Sequence, residues 1–385
     1  MSNRADFNAR LNRFNTAING QTPDTVPILS LVDTYVLAQS HYTIEEAWVK
    51  DKNKCIQAFK NFNDVVYSDA TYQTGNTIPF EMLELFGSSL YCITGETVQI
   101  KGSAGAVMKD DEYPALIANP REFMYDTILP RKYEMLNGDA ETLAPVFKDA
   151  IMRIIKWKLF EEQCVRGIEK KAGLPLAVRG FNFLAPDFIL DFLRDFVGIS
   201  KDIRRRPEEL YAACEAIYPI MMQITEATGK PDPNHVVWIP LHLPTYMRPK
   251  DFEKLYFPWM VRAINDLNAK GYRLMFFCER DWTAYASIIK DLPAGQNGYI
   301  FESGDLKLLR ETIRGKGCFM GGMRTELLKY GTKEQCIDEA KRCLDDFAPG
   351  GGYIFTTDKN LLCGDDAKIE NLAAVNEYVH VYGKY

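Results

Sequence analysis

Histidine is scarce in this chain of 385 residues: only His41, His235, His242 and His380 occur. Histidine-dependent chemistry therefore has few places to reside. A basic excess is missing too. Lys and Arg number 46 against 52 Asp and Glu, for a formal charge of −6. With no long basic block to follow phosphates, a nucleic-acid partner is not expected. Arg204-Arg205-Arg206 reads as a solvated helix start before Pro207. No apolar run reaches the roughly 18 residues that a membrane span needs. The polar start Met1-Ser-Asn-Arg-Ala-Asp shows no leader-like apolar segment, so no membrane association is expected. The nine cysteines are odd in number and scattered. They do not resemble a disulfide framework and fit a reducing cytoplasm, with most thiols serving as small core residues. No Ser/Gly-rich or Pro-rich linker, repeat or low-complexity tract divides the chain, so residues 1–385 are read as one domain.

What is present is a strict alternation of two patterns. Short apolar, β-branched runs fall at Val26–Leu31, Asp64–Ser68, Leu176–Asn182, Val236–Leu241, Arg273–Cys278, Tyr299–Glu302, Cys318–Gly321 and Gly352–Thr356. Helical patterns include Pro207–Thr228, Asp251–Lys270, Thr283–Lys290, Leu306–Arg314, Lys333–Phe347 and Lys368–Tyr382. Thr332 followed by Gln335 is a capping box at the start of one of them. Strand and helix in alternation predict parallel strands with crossover helices. Eight such strands predict an α/β fold, a (β/α)₈ barrel, with an N-terminal helical extension. Val98–Lys101 and Ala104–Met108 flank a Gly-Ser turn and predict a small hairpin insertion.

In such a barrel the active site lies at the C-terminal strand ends. Those ends carry Asp33 and Tyr35, Asp69 and Tyr72, Asn182, His242, the segment from Cys278 to Trp282, Glu302, Gly321 to Met323, and Thr357 to Lys359. His242, Glu279 and Glu302 are the candidates for acid–base work there. Tyr35, Tyr72, Tyr246 and Trp282 are candidates for an aromatic substrate pocket, as readily as for core. Asp69 is a candidate for holding a ring substituent or for capping a helix. Cys278 ends one strand run and Cys318 begins another. On one barrel wall the two sulfurs would offer a soft metal two ligands; as lone buried thiols they would simply be packing.

The chain also resembles a known superfamily. Phe252-Glu-Lys-Leu-Tyr-Phe-Pro258, Gly271-Tyr-Arg-Leu-Met-Phe-Phe277, Asp281-Trp282, Cys318-Phe-Met-Gly-Gly322, Leu327-Leu-Lys-Tyr-Gly-Thr332 and Glu370-Asn371 resemble uroporphyrinogen decarboxylase-like barrels. Among them they are closest to the corrinoid-dependent methyltransferases. True decarboxylases of the group carry an arginine-rich first strand for a polycarboxylate; here Pro27-Ile-Leu-Ser-Leu-Val-Asp33 has no arginine. Methylcobamide:thiol methyltransferases carry His-x-Cys at a strand end, where this chain reads Phe276-Phe277-Cys278. The methyltransferase component of anaerobic aryl methyl ether O-demethylases, veratrole type, is the branch that fits best. Its zinc motif of one acid and two cysteines has the 39-residue gap found between Cys278 and Cys318.

That resemblance implies methyl transfer from a methoxylated aromatic to the Co(I) corrinoid of a partner protein. Zinc held by Cys278, Cys318 and Asp251, or a general acid, would activate the ether oxygen. Asp251 is one residue out of register, and His242 is the rival third ligand. The rival functions are thiol methyl transfer, porphyrin decarboxylation, and a non-catalytic barrel that binds a corrinoid protein. Whether the chain forms a homo-oligomer is left open.

Overall fold

A computed structural model describes residues 2–74, 79–87, 91–93, 95, 97–100 and 106–385. Eight parallel strands form the centre: β1 (Leu29–Ser30), β2 (Ala70–Thr71), β3 (Val178–Phe181), β4 (Val236–Leu241), β5 (Leu274–Asp281), β6 (Asn297–Ser303), β7 (Cys318–Met323) and β8 (Tyr353–Thr357). β1 pairs with β2, and β3 to β8 form one sheet in chain order. Single bridges close the ring: Thr71 with Leu176 joins β2 to β3, and Ile28 with Phe355 joins β1 to β8. The fold is therefore the (β/α)₈ barrel that the alternation predicts.

Alternation along each strand divides the core in two. Leu29, Leu31, Tyr72, Trp238, Met275, Ile300, Cys318, Met320 and Ile354 pack in the barrel interior. Their neighbours Phe276, Cys278, Tyr299, Phe301, Phe319 and Tyr353 pack outward against the helices. Three rings lie in sequence inside the barrel: Tyr72 and Trp238 with centroids 4.6 Å apart, then Trp238 and Phe277 at 5.4 Å.

Helix α1 (Ser2–Ile18) plugs the other end of the barrel. Its Phe14, Ala17 and Ile18 are fully buried with the interior residues. Gly298 on β6 is bare because a Cβ there would stand 2.5 Å from the Met320 sulfur and 3.2 Å from Ile18. Arg13 pins the plug, donating to Asp69 Oδ1 at 2.9 Å and to Asp24 Oδ1 at 2.7 Å.

Several boundaries differ from the sequence reading. The run from Asp64 to Ser68 is not a strand. Helix α2 (Lys52–Val65) claims its start, because Cys55, Ile56, Phe59 and Phe62 are buried at helical spacing, and β2 begins only at Ala70. The long helix α3 (Ala140–Ala172) follows, with Asp139 accepting from Thr142 N at its start and Gly173, at φ 62°, at its end. Helix α4 (Ala185–Ile189) comes next, and α5 spans Pro207–Thr228 as expected. The Asp251–Lys270 pattern is two helices, Pro249–Leu255 and Phe257–Ala269, with Tyr256 non-helical between them. Helix α6 (Lys333–Phe347) carries the Thr332 capping box, both bonds present. The hairpin exists, but Val98–Ile100 pairs back to Tyr91–Ile93. Of the expected second arm, Ala104 and Gly105 lie outside the described residues, and so does Lys101.

Phe14→Ala is expected to cost about 3–5 kcal/mol in urea unfolding, because the closed barrel cannot collapse onto the lost ring. Tyr125→Ala, at a side chain 61% exposed, should stay within about 0.5 kcal/mol.

Candidate active site

The C-terminal rim of β4 to β6 gathers the ionisable groups. Beyond β3, α4 begins with Pro186 in its first turn and buries Asp187 completely. One turn later Asp191 lies in a π-helical turn, Leu190–Arg194, a distortion often found at functional sites. Asp187 Oδ1 accepts from the backbone N–H of His242 at 3.0 Å and of Leu243 at 2.8 Å, and Oδ2 accepts from the Tyr256 hydroxyl. Burial pushes the Asp187 carboxyl up to about 7, against those donors and the His242 charge.

His242, one residue beyond β4, stands between two carboxylates. Its Nδ1 is 2.8 Å from Asp191 Oδ2 and its Nε2 is 3.3 Å from Glu279 Oε1. With both carboxylates ionised, both ring nitrogens donate, which is the imidazolium form. Burial opposes the charge, but Asp191, Asp187 and Glu279 together outweigh it and raise the pKa from 6.5 to about 9. Glu279 is raised in turn by its own burial, with the His242 charge pulling the other way.

Glu279 faces the mouth because β5 breaks its register there. Pairing with β6 shifts between Cys278 and Asp281, and Arg280 takes a left-handed φ of 61°. The Arg280 N–H donates to Glu302 Oε2 at 2.7 Å, while Lys359 lies 3.2 Å from Glu302 Oε1. Trp282 Nε1 donates to the Glu279 carbonyl at 2.9 Å, fixing the bulge from behind. Lys132 lies over the Phe192 ring at 4.9 Å, and burial lowers its pKa while Asp191 opposes.

The sequence candidates thus separate. His242, Glu279 and Glu302 share the rim. Tyr72 lies inside the barrel below it, and Tyr246, half exposed, packs at a tilt on Phe196, centroids 4.7 Å apart, at its edge. Tyr35 is a core residue whose hydroxyl donates to Ala367 O. Trp282 is buried in the outer layer against Phe252 and Tyr285. Asp69 precedes β2 at the plugged end, where it accepts from Arg13 and from Ile28 N.

The expected zinc ligands do not converge, which corrects that reading. Cys278 faces the outer layer and Cys318 the interior, on opposite sides of the wall, with Cys318 at the start of β7 and Cys278 further along β5. Burial raises both thiols, Cys318 to about 12, so neither is a ready thiolate. Asp251 pairs with Arg248 at 2.8 Å. Among the described residues the one cluster of three close donor groups is Cys363, Asp365 and Asp366, away from these. As they lie, Cys278, Cys318 and Asp251 do not fit zinc. Asp187 and Asp191 were missed; their four-residue spacing just after a strand places both on one helical face and was the available signal.

The profile of the family described as uroporphyrinogen decarboxylase (URO-D) matches residues 164–382. Among solved structures, a methyltransferase from Methanosarcina mazei superposes with a TM-score of 0.63 at 14% identity, covering 97% of this chain and 98% of that one. No curated protein matches the chain. Among the described residues no helix is long and apolar enough to cross a membrane.

The His242 shift carries a stability consequence. A pKa raised above the unfolded value gives stabilisation that is complete below about 6.5 and disappears as pH rises through about 9. Urea unfolding should show the advantage of the wild type over Asp191→Asn shrinking across that window, from at most roughly 3 kcal/mol. Imidazole NMR should place the wild-type midpoint near 9. A midpoint near 6.5 would refute the assignment.

Proposed function

Because the chain belongs to the uroporphyrinogen decarboxylase (URO-D) family, we propose that it is a methyltransferase of that fold, taking a methyl group from a phenyl methyl ether to the corrinoid of a partner protein. The observation that carries this reading is the His242–Glu279 pair, Nε2 to Oε1 3.3 Å, above an aromatic floor. A phenyl methyl ether resists cleavage because phenolate leaves poorly; a positioned acid removes that obstacle.

The reduced corrinoid on the partner supplies the nucleophile that accepts the methyl group. This chain's residues do the rest. Tyr72, Trp238 and Phe277 hold the ring. As the methyl–oxygen bond breaks, its electron pair stays on oxygen. The proton shared between His242 Nε2 and Glu279 Oε1 passes to that oxygen, giving a neutral phenol. Asp191 keeps the imidazole oriented through Nδ1. The pair regains its proton from solvent, with side chains 27% and 33% exposed.

Decarboxylation of a polycarboxylate suits this rim badly. Asp191, Glu279 and Glu302 would face substrate carboxylates, and the β1 segment offers no arginine to receive them. Half-exposed Tyr246 and Phe196 at the edge suit the approach of a carrier protein.

With reduced carrier and methoxybenzenes, phenol release measured by chromatography should fall about 10²–10⁴-fold in His242→Gln and in Glu279→Gln. The wild-type rate should decline as pH rises through about 9, where the imidazolium is lost. Consumption of methyl-thiols or methylamines, with no ether cleaved, would sink this reading. Cys318→Ala should retain the wild-type rate; a loss as large as that of His242→Gln would restore the cysteine to the site.

A further inference from the structure

The opposite side of the mouth, on β8, β1 and β2, differs from the acidic rim. Here buried polar atoms have no hydrogen-bond partner: Asp33 Oδ1, Thr74 Oγ1, Thr356 Oγ1 and Asn360 Oδ1. Thr356 and Thr74 are only 1% and 2% exposed. The backbone makes these groups neighbours. Asp33 N donates to Leu361 O at 2.9 Å, next to Asn360, and Tyr72 N donates to Ser30 O at 3.0 Å. Continuing the inward positions of Leu29 and Leu31 puts Asp33 on the interior side, and Thr356 follows inward Ile354. The Tyr72 hydroxyl is faced by both Asp33 and Asn360.

Folded proteins leave few buried polar atoms unpaired, and each costs free energy. Four in one sector, beside an aromatic floor, mark the place of a polar ligand group. Their chemistry names that group. The Asp33 and Asn360 oxygens are acceptors, and the threonine hydroxyls can take either role. A group that both donates, to the Asp33 or Asn360 oxygen, and accepts, from a threonine hydroxyl, therefore satisfies the sector. Burial raises Asp33 to about 7 against hydrogen bonds from Gln73 and Thr34, which is the condition of a carboxyl short of donors.

We propose that this sector binds a free hydroxyl on an aromatic ring, so that the ligand of the mouth is a phenol whose hydroxyl donates to Asp33. The ring lies on Tyr72 and Trp238, and the floor carries it towards Phe277 and Glu279. A methoxy group in the hydroxyl's place brings no proton and leaves the acceptors unpaired. A carboxylate there adds charge beside Asp33. The identity of the reacting substituent rests on the methyl-transfer reading; the hydroxyl site does not.

The test measures binding without any carrier protein, by tryptophan fluorescence and calorimetry. The probes are 4-methoxyphenol, 1,4-dimethoxybenzene and methoxybenzene. The wild type should bind 4-methoxyphenol about tenfold more tightly than either ether lacking the hydroxyl. In Asp33→Leu that preference should collapse to about twofold or less. Thr356→Val, nearly isosteric, should weaken the phenol about threefold with an unchanged melting temperature. Equal binding of all three probes, a preference that survives both substitutions, or no binding at all would overturn the proposal. The two readings fail separately. A hydroxyl preference without methyl transfer in the complete assay removes the transferase reading alone. Transfer from all three ethers with equal affinity removes the hydroxyl site alone.

Discussion

Asp187 ties together the segments that make the acidic rim. Strand β4 ends at Leu241, and the amides of His242 and Leu243 leave the ladder with no strand neighbour to receive them. The Asp187 carboxylate, brought over from the segment after β3, accepts both, and Tyr256 closes it from the far side. Leaving two buried N–H groups unpaired would cost about 1–3 kcal/mol each. Burial alone would drive the proton onto this carboxyl; its three donors and the His242 charge favour keeping it off. The position of His242 is thereby fixed from the backbone, before its ring makes any contact. Asp191, one turn further along the same segment, then takes Nδ1. One helical turn thus sets both the place and the tautomeric demand of the imidazole.

Side-chain parity on the strands decides the rest. With a period of two, Phe277 and Glu279 face the mouth, and Cys278 between them faces the helices. The bulge after Cys278 re-aims the strand end. It places Arg280, a residue with a Cβ, at φ 61°, which costs about 1–2 kcal/mol. The Arg280 N–H gains Glu302 as acceptor, and the Glu279 carbonyl gains Trp282 as donor. Local strain is thus offset by two contacts whose shared effect is to present Glu279 beside His242. Strain held at that point, and nowhere else along β5, fits a residue that acts on a ligand.

The barrel was legible in the sequence because hydrophobic runs of strand length and helical periodicity alternate, and a capping box such as Thr332-x-x-Gln335 declares its own position. The second strand was misplaced because Val65 and Val66 favour extended backbone locally, while the burial of Phe59 and Phe62 commits the segment to α2. Tertiary packing outweighed propensity. For the site, His242, Glu279 and Glu302 were found from strand ends alone. The cysteines misled because spacing along the chain says nothing about which face of a strand a residue takes. Cys318 begins β7 where Cys278 sits well along β5, so the two differ in both level and direction. Asp187 and Asp191 escaped notice since neither ends a strand. They act from a helix that leans over the neighbouring strand end, which only the folded chain reveals.

The two sides of the mouth have opposite electrostatic character, and the aromatic floor keeps them apart. Asp191, His242, Glu279, Glu302 and Lys359 form a charged, mutually compensated rim on one side. Asp33, Thr356 and Asn360 form a sector of buried, unpaired polar atoms on the other. Two carboxyl groups placed close together in a low-dielectric site would couple, and one would be forced to hold the other's proton. The rings of Tyr72, Trp238 and Phe277 lie between the sectors. Asp33 is thereby left short of a donor, and Glu279 is left to its histidine. A single planar ligand lying on that floor can satisfy the first sector with a donated proton and receive one from the second. Recognition and proton delivery then proceed from separate groups.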